Sequence, residues 1–116
     1  DDWFGALWTI EYEDGELKNA TAIYRGDDWA AINPSWSPDG TQIVFATVAK
    51  SLARTGVLDE ADDLWIVSAD GTRPTRVTTH PGADWKPVWG RNGRIFFVSK
   101  RDGTNRIWSL TPRPLP

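Results

Sequence analysis

The sequence predicts an all-β chain of small four-stranded antiparallel sheets stacked face to face, and three observations carry this reading. The first is a repeat. Asn33-Pro-Ser-Trp-Ser-Pro-Asp-Gly-Thr-Gln-Ile-Val-Phe45 returns as Lys86-Pro-Val-Trp-Gly-Arg-Asn-Gly-Arg-Ile-Phe-Phe97, with Pro34 and Pro87, Trp36 and Trp89, and Gly40 and Gly93 each 53 residues apart. The second is that Ile43–Ala46, Leu64–Val67 and Ile95–Val98 are apolar at every position. A strand with one wet face alternates, so these strands are expected to be buried on both faces. The third is the set of Asp-Gly pairs at 14, 39, 70 and 102. Such pairs accept the positive φ of tight hairpins.

Taken in order, the elements form a consistent series. Leu7-Trp-Thr-Ile10 is answered by Leu64-Trp-Ile-Val67 and by Ile107-Trp-Ser-Leu110, each a strand built on a central Trp. The first two run into hairpin turns and short β-prone segments, Ala20 to Tyr24 and Thr75 to Thr79. Pro34 and Pro87 are placed where a strand begins and no ladder N–H is needed. With strands labelled A to D from the Pro-x-Trp strand outward, the chain reads C, D, then A, B, C, D, then A, B, C. Residues 1–30 are thus the back half of a first unit, 31–80 a complete unit carrying an insertion at 48–63, and 81–110 the front three strands of a third. Residues 111–116 form a Pro-rich tail expected to be extended. The only helical candidate is a turn or two over Ala49-Lys-Ser-Leu-Ala-Arg54.

Bulk properties exclude several functions. Cysteine is absent, which removes disulfides, thiolate metal sites and thiol catalysis. No run approaches the ~20 apolar residues of a membrane helix. Eight Trp in 116 residues is a heavy load of wide rings suited to sheet contacts and binding rims. The net charge of −3 hides an asymmetry. Residues 1–63 hold 13 acids and 4 bases, and 64–116 hold 3 acids and 9 bases, which allows either head-to-tail attraction or an unrelated solvated surface. The basic residues fall at turns and strand ends rather than along one helix, so nucleic acid is not the expected partner. A start at Asp1 leaves open removal of a leader or excision from a longer chain.

Pro34-Ser-Trp-Ser-Pro-Asp-Gly-Thr-Gln-Ile-Val-Phe45 and Asp63-Leu-Trp-Ile-Val-Ser-Ala-Asp-Gly-Thr-Arg-Pro-Thr-Arg-Val-Thr78 resemble the TolB-type WD40-like (PD40) β-propeller repeat. Ser99-Lys-Arg-Asp-Gly-Thr-Asn-Arg-Ile-Trp108 resembles its B-to-C connection. The resemblance implies a partial propeller of about two to two and a half blades in an extracytoplasmic, periplasmic or secreted setting, where such propellers serve as docking platforms. Three copies of two blades would complete the six that it suggests, so a homo-oligomer is one expected partner state. The chain departs from the pattern at Gly90-Arg-Asn-Gly93, in the insertion, and in the missing last D strand.

Catalytic signals are weak. There is no Gly-x-Ser-x-Gly elbow, and His80 is the only histidine, so neither a triad nor a multi-His metal site assembles within one chain. Asp59-Glu-Ala-Asp-Asp63 lacks calcium-loop spacing and reads as a solvated loop. No metal or cofactor is expected. The resemblance places the D-to-A and B-to-C connections on one face, and there Asp28, Trp29, His80, Asp84, Trp85 and Lys86 are the candidate binding residues. An exposed Trp beside a carboxylate anchors a protein or small ligand, although packing of Trp29 and Trp85 between blades is the competing expectation. The expected function is a non-catalytic binding scaffold. The alternative is the gating propeller of a serine peptidase of prolyl-oligopeptidase or tricorn type, with its catalytic domain outside this chain. A polysaccharide lyase would need clustered histidines.

Overall fold

A computed structural model describes residues 5–50, 63–79 and 82–113. Among the described residues the regular structure is antiparallel β, apart from Lys50, which is helical. The strands are β1 (Leu7–Glu13), β2 (Glu16–Tyr24), β3 (Trp29–Trp36), β4 (Gln42–Ala49), β5 (Leu64–Ser68), β6 (Thr75–Arg76), β7 (Asp84–Trp89), β8 (Ile95–Ser99) and β9 (Arg106–Leu110). They form a two-stranded sheet β1-β2, a four-stranded sheet β3-β4-β5-β6 and a three-stranded sheet β7-β8-β9. Of the expected helical turn, Ala49 ends β4 and Lys50 is helical; its remainder and most of the insertion, at 51–62, lie outside the described residues.

The middle sheet is covered on both faces, as its unbroken apolar strands require. In β4, Val44, Ala46 and Val48 pack with Leu64, Ile66, Ile95 and Phe97 against the third sheet. The alternate residues Ile43 and Phe45 pack with Val67, Leu7 and Ile23 against the first. Successive side chains point to opposite faces, so one strand serves two cores. The stack is also tied by polar contacts. The Trp89 backbone N–H donates to Ser35 Oγ at 3.0 Å across the second and third sheets. On the other side Ala31 N–H donates to the Gly5 carbonyl at 2.7 Å. Gly5 has φ 70°, and a Cβ there would stand 2.3 Å from that of Ala30, so this approach requires glycine.

The prolines of the repeat sit inside strands rather than at their starts. β3 begins at Trp29 and β7 at Asp84, and both ladders shift register across the proline, between Ile32 and Ser35 and between Trp85 and Val88. Asn33 and Lys86 each adopt φ 51° in these bulges. The bulge leaves one residue unpaired, which is how a proline without an N–H is accommodated. β2 is longer than the segment expected from sequence, and β6 is shorter.

The Asp-Gly turns are held by their side chains. Asp39 Oδ1 accepts Ser37 Oγ at 2.7 Å, Thr41 Oγ1 at 2.7 Å and Thr41 N–H at 3.1 Å. Asp70 accepts Thr72 Oγ1 at 2.6 Å and Thr72 N–H at 3.0 Å. In the shorter Gly90–Arg94 turn, Asn92 Oδ1 takes the Arg94 N–H at 3.1 Å, so the substituted motif keeps the same clasp. Donors from Ser37, then Thr41, hold the Asp39 carboxyl below the usual carboxylate range, and donors from Thr72 do so for Asp70. A carboxyl depressed in the folded state stabilises above its unfolded pKa, near 3.9, and loses that contribution as pH falls through the folded value. Thermal melts from about pH 5 to pH 2 are therefore expected to fall less steeply for Asp39→Ala/Asp70→Ala than for the parent chain.

Candidate functional site

The connections entering β3 and leaving β4 meet at one end of the middle sheet. Trp29 pairs with Ala49, and Lys50 N–H donates to the Asp28 carbonyl at 2.9 Å. In the third sheet Asp84 pairs with Ser99 at the corresponding end. The D-to-A and B-to-C connections thus share a face, and the candidate residues separate on it by environment.

Asp28 is exposed, and Trp29 is 41% exposed although it belongs to a strand rather than a loop. Trp29 borders a cleft of about 160 Å³ lined by Tyr24, Thr47, Trp65 and Arg76. The Tyr24 ring lies 4.8 Å from that of Phe45, and burial pushes its hydroxyl pKa up. Arg76 is half exposed. Its guanidinium pairs with the buried Asp63 carboxylate, and its Nε donates to the Thr78 carbonyl at 3.3 Å. The cleft therefore offers aromatic walls and an arginine held in place from below, which suits a planar or carbonyl-bearing group of a ligand.

Asp84 has a different environment. It is fully buried at the start of β7, and Arg101 Nη2 donates to its two oxygens at 3.1 and 3.2 Å. Arg101 lies over the Phe97 and Trp108 rings at 5.3 and 5.4 Å and donates Nε to Ser99 Oγ at 3.1 Å. Asp84 is thus the inner half of an ion pair that fixes the end of the third sheet. Trp85 is half-buried against the core, with exposed Lys86 4.8 Å above its ring. Trp29 and Trp85 are not equivalent, because Trp85 precedes its bulge as Ile32 does in β3. His80 lies outside the described residues. Of the acidic run, only Asp63 is described, buried and paired with Arg76.

Tyr24, Thr47, Trp65 and Arg76 were not legible as site residues. They converge from four strands and two sheets, and only the pairing register brings them around Trp29. The Asp63–Arg76 pair spans 13 residues and carries no motif. Among the described residues no three His, Asp or Glu gather where they could hold a metal ion. No described helix is long and apolar enough to cross a membrane.

No family model matches the chain. It is 37% identical to the Tol-Pal system protein TolB of Bordetella pertussis over 90% of this chain and 32% of that protein. It is 34% identical to the Tol-Pal system protein TolB of Anaeromyxobacter dehalogenans over 72% of this chain and 16% of that protein. The chain thus spans a third or less of the curated relatives it matches. Among solved structures, a TolB from Agrobacterium tumefaciens superposes with TM-score 0.62 at 22% identity, covering 92% of this chain and 42% of that one. TolB from Acinetobacter baumannii gives TM-score 0.61 at 16% identity, covering 90% and 26%. With the repeat, the doubly buried middle sheet and the clasped turns, these likenesses assign the chain to the TolB-type WD40-like β-propeller repeat family, as part of a propeller.

Proposed function

We propose that the chain is a non-catalytic scaffold that docks a protein partner in an extracytoplasmic compartment, through the end of the stack that carries Asp28, Trp29 and Lys86. The observation that supports this most is Trp29. A large ring, substantially exposed, stands on a strand of the best-buried sheet beside an aromatic and arginine-lined cleft. Aromatic anchors of this kind dominate many interfaces, and a rigid strand loses little entropy on binding. Trp85 and Asp84 support the face from beneath rather than contacting the partner.

The relatives are Tol-Pal system proteins, so the Pal component of such a system is the partner to test. Titration of the chain with soluble Pal, followed by calorimetry, is expected to show saturable binding that Trp29→Ala weakens about tenfold or more. Lys86→Ala is expected to weaken it less and to reduce its salt dependence. Equal affinity for the parent and Trp29→Ala would contradict the proposed face.

A further inference from the structure

We propose that the groove between the hairpin turns of the second and third sheets holds a neutral sugar ring, a glycan site separate from docking through Trp29. β3 runs from Trp29 to Trp36, which puts the turn after it at the far end of the middle sheet from the docking residues. The equivalent turn of the third sheet follows Trp89. Between these two turns lies an open groove of about 370 Å³, lined in part by Pro38, Asp39, Gln42, Trp89, Arg91 and Asn92. That volume falls within the about 300–1,000 Å³ usual for small-molecule sites, and the cleft of about 160 Å³ beside Trp29 does not.

The occupant follows from what the walls offer. Trp89, half-buried against the core between the two sheets, and exposed Pro38 supply apolar surface for the C–H face of a pyranose ring. The hydrogen bonds that clasp the first turn all use Asp39 Oδ1, so Oδ2 remains to accept from a ligand hydroxyl. Asn92 gives its Oδ1 to the Arg94 N–H, so its amide N–H groups remain to donate. Arg91 is exposed and has no acidic partner among the described residues, and its guanidinium can only donate. One acid and one base leave the groove without net charge. A phosphate would be repelled by Asp39 and an ammonium by Arg91, whereas a sugar hydroxyl donates to the first and accepts from the second. The walls are also set before any ligand arrives. Ser35 Oγ ties the Trp89 N–H to the middle sheet at 3.0 Å, and both turns are clasped, so binding orders few groups.

The test is titration of the 15N-labelled 116-residue chain with maltotriose, cellotriose and chitotriose, followed by the shifts of its amide and indole N–H signals. At least one trisaccharide is expected to bind saturably and to shift the Trp89 indole and the Gln42 and Asn92 side-chain signals, while inorganic phosphate shifts none of these. Arg91→Ala and Asp39→Asn are each expected to weaken that binding about tenfold or more, the loss of a hydrogen bond to a charged group. Arg91→Ala touches no clasp and Asp39→Asn keeps the Oδ1 acceptor, so circular dichroism is expected to show both variants folded. No binding by any of the three sugars, shifts confined to other residues, phosphate moving the same signals, or undiminished affinity in the two folded variants would overturn the proposal.

Discussion

Phe45→Ala is expected to destabilise the chain by about 3–5 kcal/mol, the range for truncating a fully buried aromatic. Phe45 is 0% exposed, packs on the face of the middle sheet turned toward the first sheet, and meets the Tyr24 ring. Its loss leaves a cavity beneath the middle sheet, which collapses poorly because that sheet is held by its own ladder and by the core on its far side. Thermal unfolding is expected to show a fall in Tm on the order of 15 °C. Among the described residues the first sheet has two strands and packs on the middle sheet through this contact, so its amides are expected to lose exchange protection before those of β4. A loss below about 1 kcal/mol would mean that the first sheet does not pack as described.

Arg101→Ala is expected to cost about 3 kcal/mol, because it leaves the Asp84 carboxylate buried without its partner. Asp84 is completely buried, whereas the Arg101 side chain is 26% exposed and packs its guanidinium on two rings. The loss therefore falls chiefly on the inner partner, and the two rings lose their cover as well. Arg101→Lys keeps a charge but not the planar fork, and is expected to lose less. Adding Asp84→Asn to Arg101→Ala is expected to restore part of the stability, since no charge then remains buried. Urea denaturation of the four proteins gives the comparison. If the double variant is no better than Arg101→Ala, the burial of an unpaired charge is not the cause.

The architecture was legible because its physical signals are local. Apolar residues at every position of Ile43–Ala46 told of two covered faces, and both cores are there. Asp39, Asp70 and Asn92 announced turns that their own side chains close. The prolines misled, since a proline read alone belongs at a strand end, and only the paired ladder reveals a bulge that admits it within β3 and β7. Asp28 and Trp29 are exposed, as an anchoring pair requires, whereas Asp84 is the buried half of an ion pair. An Asp-Trp pair looks the same in sequence whether its acid faces water or, as at Asp84, an arginine 17 residues on. Tyr24, Trp65 and Arg76 join Trp29 through register, which a linear motif does not encode.

Docking through the Asp28–Trp29 end depends on rigid presentation, in which the middle sheet holds that end in a fixed geometry. Native-state hydrogen exchange of the parent chain measures this residue by residue. The amides of β4 and β5 are expected to exchange slowest, and those of Ala31 and Lys50, bonded to the Gly5 and Asp28 carbonyls, are expected to be clearly protected. Ala31 and Lys50 exchanging at loop rates while β4 stays protected would show that the end moves independently of its frame, and would contradict the account.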